Sequence, residues 1–493
     1  MTDMTLNDDA CYRVLSTRDA RFDGVFFIGV TTTGIYCRPV CPARTPRRDR
    51  CRFFASAALA ESAGFRPCLR CRPELAPGHA PMDSVSRTAR LAAAKIEAGA
   101  LRDGGSLEKL ARQLGISSRQ LRRVVQREYG VTPIQLAQTG RLLLAKQLLA
   151  ESTLPMVAVA GAAGFESVRR FNALFRQHYG LTPTRMRRGT SKSIAQDCVR
   201  LSLGYRPPLA WQEMLRFLAA RATPGVEAID GDAYLRTIAL TGRQGWIRVA
   251  PVAGRNVLSV ELSTSLLPVL SAVLPRVKRQ FDLAARPDVI AASLAAHPRL
   301  ASLVRHTPGL RVPGAFDGVE LAVRAILGQQ ISVRAATTLA GRLAAAYGEP
   351  IETPFAGLSR LAPPAETLAR ARTASLAKLG LRTAIAESIR ALASAAVKGY
   401  VCLEPGCDPE STVAALVECP GIGPWTAQYV AMRALGWPDA FPDGDLGLVK
   451  ASGETSARAL RGVAEAWRPW RAYAAMYLWE SLHDKQTLRK RTG

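Results

Sequence analysis

The first 188 residues contain two different hydrophobic patterns. A short apolar run, GVFFIGV at 24–30, is typical of a β-strand and lies in a segment rich in cysteine and arginine. From Ser84 to Arg188, apolar residues instead recur at helical spacing among many basic ones. We therefore expect a small α/β domain followed by an all-helical domain.

After Leu201 the pattern changes again. The segment WQEMLRFLAARA predicts a helix at 211–222, and from about residue 265 onward the chain resembles a series of helices with short Gly/Pro breaks. Three strand-like runs lie between these helical parts, namely YLRTIAL (234–240), GWIRVAPV (245–252) and NVLSVELS (256–263). They predict a small antiparallel sheet ahead of a second all-α domain.

Two polar stretches predict the linkers of a multidomain α+β chain. PELAPGHAP closes the first segment, and RMRRGTSKSIAQ follows the helical one. The predicted divisions are a domain at 1–80, a domain at 84–188, a linker at 189–199, an α+β subdomain at 200–275 and a helical domain at 276–493.

The charge indicates the kind of partner. A formal net charge of +26 and a pI near 10.3 favour a polyanion, most plausibly nucleic acid, although a generally basic protein would have the same composition. No run of eighteen apolar residues is present, and the first residues have neither a basic flank nor an apolar segment. We therefore expect a cytoplasmic, nucleoid-associated protein without a membrane partner.

Six of the ten cysteines fall within the first 71 residues. Four of them form two close pairs, which suits a tetrahedral zinc site; they are Cys37, Cys41, Cys68 and Cys71. A closed zinc knuckle that only folds the domain would have the same spacing. Cys11 and Cys51 stand alone and are interpreted as ordinary thiols.

The residues around the pairs carry a more specific signal. TTTGIYCRPVCPAR at 31–44 and RFFASAALAESAGFRPCLRC at 52–71 resemble the N-terminal domain of Ada-type DNA repair regulators, over most of residues 10–75. The resemblance implies that the four cysteines bind one zinc ion and that Cys37 accepts a methyl group from a methylated DNA phosphate. It also implies that Thr33, Arg44 and Arg66 contact the DNA backbone.

The implied reaction is chemically sound because zinc keeps a bound thiol as thiolate at neutral pH. The thioether product does not turn over, so each molecule acts once. Methylation changes the net charge of four thiolates and Zn²⁺ from about −2 to about −1, which reduces repulsion from DNA phosphates. We therefore expect methylation to stimulate DNA binding and transcription.

A helix-turn-helix pattern occurs twice in the second domain, at 106–130 and 156–188. The copies have turns at Gly115 and Gly164, and they end in YGVTP and YGLTP. One copy alone would fit a plain helical bundle equally well, but the doubled unit resembles the DNA-binding domain of AraC/XylS-type regulators. The predicted recognition residues are Arg119, Arg122, Arg123, Arg169 and Arg170.

The last domain contains LVECPGIGPWTAQYVAMRAL, in which a tight PGIG turn joins two predicted helices into a hairpin. Gly421 and Gly423 in this turn let backbone amides bind a DNA phosphate. With FPDGDLGL and AVRAILGQQIS, it resembles AlkA-type alkylpurine glycosylases of the helix-hairpin-helix superfamily, over most of residues 200–485. By that resemblance Asp445 is the catalytic carboxylate, whereas Asp443 matches no essential position. A lone Asp in such a loop would otherwise be interpreted as a turn residue.

The same resemblance implies a pocket for a flipped base. Trp425, Tyr429, Trp479 and Phe217 match aromatic pocket positions, although each alone could equally belong to a helix core. Cationic alkylpurines would stack on such rings. Gln330 matches the position whose side chain enters the gap left by the base.

Some family features are missing from the sequence. It lacks the PCHR motif of a second methyl acceptor, so repair of alkylated guanine oxygen is not predicted. Trp425 stands where bifunctional glycosylases have a lysine, so strand cleavage is not predicted, and no cysteine follows Cys419 to bind an iron–sulfur cluster.

The sequence thus predicts a protein of the adaptive response to DNA alkylation, with a zinc methyl acceptor, an AraC-type regulator and a monofunctional 3-methyladenine-type glycosylase. The expected partners are alkylated and promoter double-stranded DNA and RNA polymerase, with the chain as a monomer. A monovalent cation at the hairpin is a further expectation. The alternative is a DNA-binding regulator with a structural zinc and an inactive glycosylase fold.

Overall fold

The computed structural model describes residues 7–78, 87–102, 105–187, 197–404 and 406–492. Contacts divide the chain into two compact units, the first comprising Met1–Arg206, Leu240–Arg243 and Val252–Pro275, and the second Pro207–Ala239, Gln244–Pro251 and Arg276–Gly493. Residues 79–81 of the first predicted linker stretch (73–81) and residues 188–196 of the second (185–196) lie outside the described residues. Within the described ranges, no helix is long and apolar enough to cross a membrane.

The N-terminal module of the first unit contains the strands β1 (Phe27–Val30), β2 (Ile35–Cys37), β3 (Cys51–Phe54) and β4 (Arg66–Pro67). They form a four-stranded sheet with the order β3-β1-β2-β4, in which β1 is antiparallel to β2 and β3 while β2 and β4 are parallel. Tyr36 is fully buried on one face with Phe27 and Phe65. Because side chains alternate along a strand, the neighbouring Cys37 belongs to the other face.

Helices α1 and α2 pack against this sheet, and seven more described helices follow it up to Arg187. α1 packs on β3 and α2 on β1. In chain order the helices are α1 (Asp8–Thr17), α2 (Ala57–Ser62), α3 (Arg87–Glu97), α4 (Leu107–Gln113), α5 (Ser118–Tyr129), α6 (Pro133–Glu151), α7 (Met156–Ala163), α8 (Val168–Tyr179) and α9 (Pro183–Arg187).

Two helix-turn-helix units, α4–α5 and α7–α8, are joined by the long helix α6. Ser117 and Ser167 cap the second helix of each unit, since each hydroxyl accepts a backbone N–H from the first turn. The turns pass through left-handed backbone at Gly115 (φ +66°) and Gly164 (φ +84°), a conformation that suits glycine. The predicted helix-turn-helix pairs are therefore confirmed.

Five further strands follow: β5 (Cys198–Gly204), β6 (Glu227–Asp230), β7 (Ala233–Leu240), β8 (Arg243–Pro251) and β9 (Val257–Ser263). β5 pairs antiparallel with β9, and β6 with β7. β7, β8 and β9 agree with the three predicted runs, whereas β5 and β6 were not predicted. In β5 the buried residues Val199, Leu201 and Leu203 do alternate, but the pattern is short and directly follows the polar linker.

The remaining structure is helical, as predicted. The helices are α10 (Trp211–Ala219), α11 (Leu270–Gln280), α12 (Pro287–Ala295), α13 (Pro298–His306), α14 (Gly318–Leu327), α15 (Val333–Tyr347), α16 (Ala365–Arg370), α17 (Thr373–Ala377), α18 (Thr383–Val397), α19 (Pro409–Val417), α20 (Pro424–Arg433), α21 (Leu446–Ser452), α22 (Ala457–Ala464) and α23 (Arg471–Thr492).

The main core of the second unit consists of apolar side chains from α14, α15, α18 and α20. It supports α19 and α20, the two helices of the hairpin, and the partly buried rings of Trp425 and Trp479 pack against it. In the loop before α19, Cys402 and Cys407 form a disulfide, which the sequence reading did not anticipate.

Buried polar contacts bind α6 to the N-terminal module within the first unit. The Glu61 carboxylate accepts hydrogen bonds from the Tyr36 hydroxyl (3.0 Å) and the Thr139 hydroxyl (2.8 Å). Burial raises the pKa of Glu61 to about 7, although both hydroxyl donors oppose this rise. Lys146 of α6 forms an ion pair with Glu74 at 2.5 Å, and both side chains are only 2% exposed.

We expect Glu74→Gln to destabilise the packing of α6 by about 3–5 kcal/mol, because it removes the carboxylate that pairs with the buried Lys146 ammonium and with Arg72. Hydrogen-exchange mass spectrometry of the full chain should then detect faster exchange of the α6 amides. The control Arg200→Gln breaks the more exposed pair with Glu261 and should change stability by less than about 1 kcal/mol. Unchanged exchange in the Glu74 variant would contradict the expectation.

Candidate functional sites

The sheet brings the two cysteine pairs together. Cys37 ends β2, and Cys68 directly follows β4. Because these neighbouring strands are parallel, both segments leave the sheet at the same end. Cys41 and Cys71 then follow in the loops. The four sulfur atoms lie within 4.8 Å of one another.

This arrangement fits zinc. A tetrahedral zinc with Zn–S bonds of about 2.3 Å separates its sulfurs by about 3.8 Å, and the Cys41 and Cys68 sulfurs lie 4.0 Å apart. The four-cysteine cluster therefore holds one Zn²⁺, as predicted. Cys37 is the most exposed of the four at 9%, against 5% for Cys41 and 6% for the other two.

Backbone amides support the sulfurs, a contribution that the sequence reading missed. The Arg38 N–H points to the Cys71 sulfur at 3.3 Å, and the Arg70 N–H to the Cys68 sulfur at 3.4 Å. The Arg38 guanidinium also donates to the Cys71 carbonyl (2.9 Å) and pairs with the buried Asp23. Arg38 thus fixes the loop that follows Cys37. Its position next to Cys37 was the feature of the sequence from which this role could have been predicted.

A cavity of about 370 Å³ opens next to the zinc cluster. Cys37 lines it together with Thr33, Arg44 and Arg66, the three residues predicted to contact the DNA backbone. Arg44 and Thr33 are exposed, whereas Arg66 also donates to the Tyr179 carbonyl at the end of α8 (3.3 Å). The structure therefore brings the predicted acceptor thiol and the predicted phosphate contacts into one place.

The predicted recognition arginines all lie at the surface. They occupy the second helix of each helix-turn-helix unit, and the apolar face of each helix is buried in the core. The exposed residues are Arg119, Arg122 and Arg123 on α5 and Arg169 and Arg170 on α8. Their position is compatible with the groove contacts expected of such helices.

In the second unit, Asp445 is held by three donors. It is the N-cap of α21, where Oδ1 accepts the Leu448 N–H at 2.9 Å. Oδ1 also accepts the Trp479 indole N–H at 3.0 Å, and Oδ2 accepts the Trp425 indole N–H at 3.1 Å. These bonds stabilise the negative charge and fix the direction of the carboxylate. Asp443 instead pairs with Arg461 at the surface.

The four predicted pocket aromatics form one cluster beside this carboxylate. Trp425 and Tyr429 stack with their ring centroids 5.4 Å apart and their planes 9° from parallel. Trp479 lies 6.3 Å from Tyr429 and 6.4 Å from Phe217. Trp425 and Trp479 are half-buried, whereas Tyr429 and Phe217 are buried. The aromatic cluster therefore lies directly beside the candidate catalytic carboxylate of Asp445.

Two arginines beneath the aromatics were missed from the sequence. Arg433 donates to the Tyr429 hydroxyl at 2.8 Å, and Arg221 lies 3.8 Å from the centre of the Phe217 ring. Burial alone would raise the pKa of Tyr429, but the two guanidinium groups lower it below its usual value. Burial also lowers the pKa of Arg221. Each arginine follows its aromatic partner by four residues, about one helical turn, and this spacing was the available sequence signal.

The hairpin turn has the expected glycine geometry. Gly421 adopts φ +76°, and a β-carbon there would lie 2.0 Å from the Ser388 hydroxyl oxygen. Gly423 is the N-cap of α20, which has no side-chain cap, and both glycines are exposed. The turn is therefore open for a phosphate at the start of α20.

The loop between α14 and α15 is attached to this hairpin by Gln329, which the sequence reading passed over. Its side-chain amide donates to the Gly421 carbonyl (2.9 Å) and the Thr426 hydroxyl (3.0 Å). The next residue, Gln330, is exposed and has a left-handed backbone at φ +59°, a strained conformation for a side-chain-bearing residue. Gln329 thus stabilises the loop that presents Gln330.

We expect Gln329→Leu to accelerate hydrogen exchange at the hairpin, residues 419–427, by about tenfold, because it removes two hydrogen bonds that together contribute about 1.4 kcal/mol. Peptide-resolved exchange of the full chain measures this. Gln330→Leu is the matched control, because the Gln330 side chain accepts a hydrogen bond from Arg382 (3.4 Å), whereas the bonds to Gly421 and Thr426 come from Gln329. This variant should leave the exchange of the hairpin unchanged. Equal exchange in both variants would contradict the role assigned to Gln329.

Family models match consecutive parts of the chain. The metal binding domain of Ada matches residues 10–74, and a helix-turn-helix domain matches residues 110–189. The AlkA N-terminal domain matches residues 200–317, and the HhH-GPD superfamily of base excision DNA repair proteins matches residues 323–461. The predicted fold classes are therefore confirmed.

Individual proteins extend the likeness. DNA-3-methyladenine glycosylase 2 of Escherichia coli is 37% identical over 279 residues, covering 56% of this chain and 96% of its own. The solved 3-methyladenine DNA-glycosylase from Archaeoglobus fulgidus has the same fold, with a TM-score of 0.50 and 23% identity over 56% of this chain and 96% of that chain.

A relative from Mycobacterium tuberculosis, the probable bifunctional transcriptional activator/DNA repair enzyme AlkA, matches the whole architecture. It is 40% identical over 492 residues, which cover 97% of each chain. With the zinc cluster, the doubled helix-turn-helix and the hairpin site in one polypeptide, the chain belongs to the family of bifunctional Ada/AlkA-type transcriptional activators and DNA repair enzymes.

Proposed function

We propose that this protein repairs alkylated DNA in two ways and regulates transcription in response. Its glycosylase part releases N-alkylated purines such as 3-methyladenine, and Cys37 accepts a methyl group from DNA methylphosphotriesters. The observation that carries the first activity is the Asp445 carboxylate, held by two indole N–H groups at the edge of an aromatic pocket.

Base release needs stabilisation of positive charge on the sugar. As the glycosidic bond breaks, the deoxyribose becomes cation-like, and an oriented carboxylate stabilises that charge at no cost of reorganisation. Asp445 is kept in orientation by Trp425, Trp479 and the first turn of α21. A water molecule then adds to the sugar, and without a lysine at position 425 the strand stays intact.

The pocket favours electron-poor bases. The target base has to leave the duplex to reach Asp445, and Gln330 on its exposed loop fills the gap that remains. An alkylated purine carries positive charge, so stacking on Trp425 or Trp479 stabilises it more than an unmodified base. Alkylpurines also have weaker glycosidic bonds than unmodified purines. The site therefore has to stabilise the cation-like sugar less in order to release them, which adds to the selectivity.

Methyl transfer uses the zinc cluster. Zinc, when bound, keeps the cysteine thiols ionised at neutral pH. Cys37 lines the cavity that Arg44 and Arg66 also line, as do Cys41 and Cys68. The choice of Cys37 among them rests on the likeness to the metal binding domain of Ada. Its sulfur attacks the methyl carbon in line, a C–S bond forms, the C–O bond breaks, and the phosphodiester leaves as an anion that the arginines stabilise.

The regulatory step follows from charge. Methylation of one thiolate lowers the negative charge facing the DNA by about one unit, which strengthens binding to a phosphate backbone. The exposed arginines on α5 and α8 then read promoter DNA, with RNA polymerase as the expected partner. A single, irreversible repair event is thereby converted into an increased affinity for DNA.

We expect Asp445→Asn to abolish release of 3-methyladenine and 7-methylguanine from methylated DNA, with DNA binding retained. The amide keeps the N-cap and the size of the side chain but lacks the negative charge. The matched control is Asp443→Asn, two residues away on the surface, which should release bases at the native rate. Chromatography of released bases gives the readout, and native release by the Asp445 variant would refute its catalytic role.

We expect Cys37→Ala to abolish methyl uptake from a duplex with a single methylphosphotriester. Since Cys37 is also a zinc ligand, peptide mapping of the native protein after reaction provides an independent test, and the methyl group should be found on the peptide that contains Cys37. Cys198→Ala, outside the cluster, is the control. Methyl recovered on Cys41, Cys68 or Cys71 would contradict the assignment.

A further inference from the structure

The surface around Cys37 is apolar on one side. Residues directly opposite in an antiparallel pair share a face, and the register pairs Ile28 with Cys37 and Val30 with Ile35. These residues are two positions apart along each strand, so all four side chains share one face of the β1–β2 hairpin. The candidate nucleophile therefore has three branched aliphatic neighbours.

The cavity beside this face has room for more than a methyl group. Val30, Ile35 and Cys37 line it, and Val30 and Ile35 are partly exposed. Ile28 and Leu15 also border the cavity but are buried in the core cluster that includes α1. Its volume of about 370 Å³ lies within the range of about 300–1,000 Å³ that is usual for small-molecule pockets. A single methyl group would fill only a small part of this space.

The rim of the cavity has the opposite character. Arg44 and Arg66 supply positive charge and Thr33 a hydroxyl group, and all three line the same cavity as the aliphatic wall. A phosphotriester has the same division, because its phosphate oxygens are polar and its alkyl group is not. The arginines match the phosphate part, and the aliphatic face matches the alkyl part.

We propose that Cys37 also accepts longer primary alkyl groups, ethyl and n-propyl, from DNA phosphotriesters, with the alkyl chain bound against the partly exposed Val30 and Ile35. This inference rests on the proposed methyl transfer. The sulfur attacks the carbon attached to the ester oxygen, the C–S bond forms as the C–O bond breaks, and the electron pair leaves with the phosphodiester anion. No further reactant is needed.

The direction of attack explains why the cavity matters. Sulfur, carbon and leaving oxygen are collinear in this displacement, so any further carbon projects sideways from that axis. In an open or polar site this carbon would meet water or a charged group. Here it meets the aliphatic face that flanks Cys37, and one methylene in a hydrophobic pocket is worth about 10–200-fold in selectivity.

The test uses the full-length, zinc-loaded protein and three duplexes that differ only in carrying one methyl, ethyl or n-propyl phosphotriester. Transfer rates are measured by intact mass, and peptide mapping locates the alkyl group. Val30→Phe fills the cavity, and Val30→Ala enlarges it, so the proposal remains testable if one variant does not fold. Val157→Phe makes the same change at a position in α7 that is 71% exposed and lies outside the cavity.

We expect the native protein to take up all three groups on Cys37. Val30→Phe should lower the ethyl-to-methyl rate ratio by about tenfold or more, Val30→Ala should raise the propyl-to-ethyl ratio, and Val157→Phe should leave both ratios unchanged. Methyl uptake without ethyl or propyl uptake would overturn the inference and leave the proposed function intact. Ratios that neither Val30 variant changes would also overturn it, and an absence of methyl uptake would overturn both.

Discussion

Charge that is withdrawn from water has to be compensated where it lies, and both groups that we propose to be reactive depend on that constraint. Four thiolates within 4.8 Å of one another would repel strongly without a cation between them. The Asp445 carboxylate meets the same requirement with hydrogen bonds from two indoles and one backbone amide. In each site, the compensation also fixes where the reactive atom points.

Both residues that we propose to be reactive stand at the end of a regular element. Cys37 is the last residue of β2, and Asp445 is the N-cap of α21. The free N–H groups at the start of α21 stabilise the Asp445 charge, and the Arg38 N–H, directly after β2, donates to the Cys71 sulfur. The strand and the helix thus provide rigidity, and the adjoining loops provide access.

The sequence predicted the parts that consist of short-range patterns. Closely spaced cysteines, a serine cap ahead of an amphipathic helix, and a glycine hairpin followed by Asp445 are local, and each is recognisable within a few residues. Some groups that it missed act over long separations, since Lys146 pairs with Glu74 across 72 residues and Gln329 donates to Gly421 across 92. Arg221 and Arg433 each lie four residues from the aromatic residue they contact, but only packing brings those aromatics, Phe217 and Tyr429, into one cluster. Such partners depend on packing, which a local pattern does not encode.

Asp445 is the N-cap of α21 as well as the proposed catalytic carboxylate, so a substitution at this position affects both roles. Its side chain caps α21, so a change to alanine would weaken the helix by about 1 kcal/mol as well as remove the charge that the proposed base release needs. Asparagine, serine and threonine also cap helices, so they would keep α21 while removing the charge. In each case the Trp425 indole N–H would lose its carboxylate acceptor, so the stability of α21 and the geometry of the aromatic pocket can change independently.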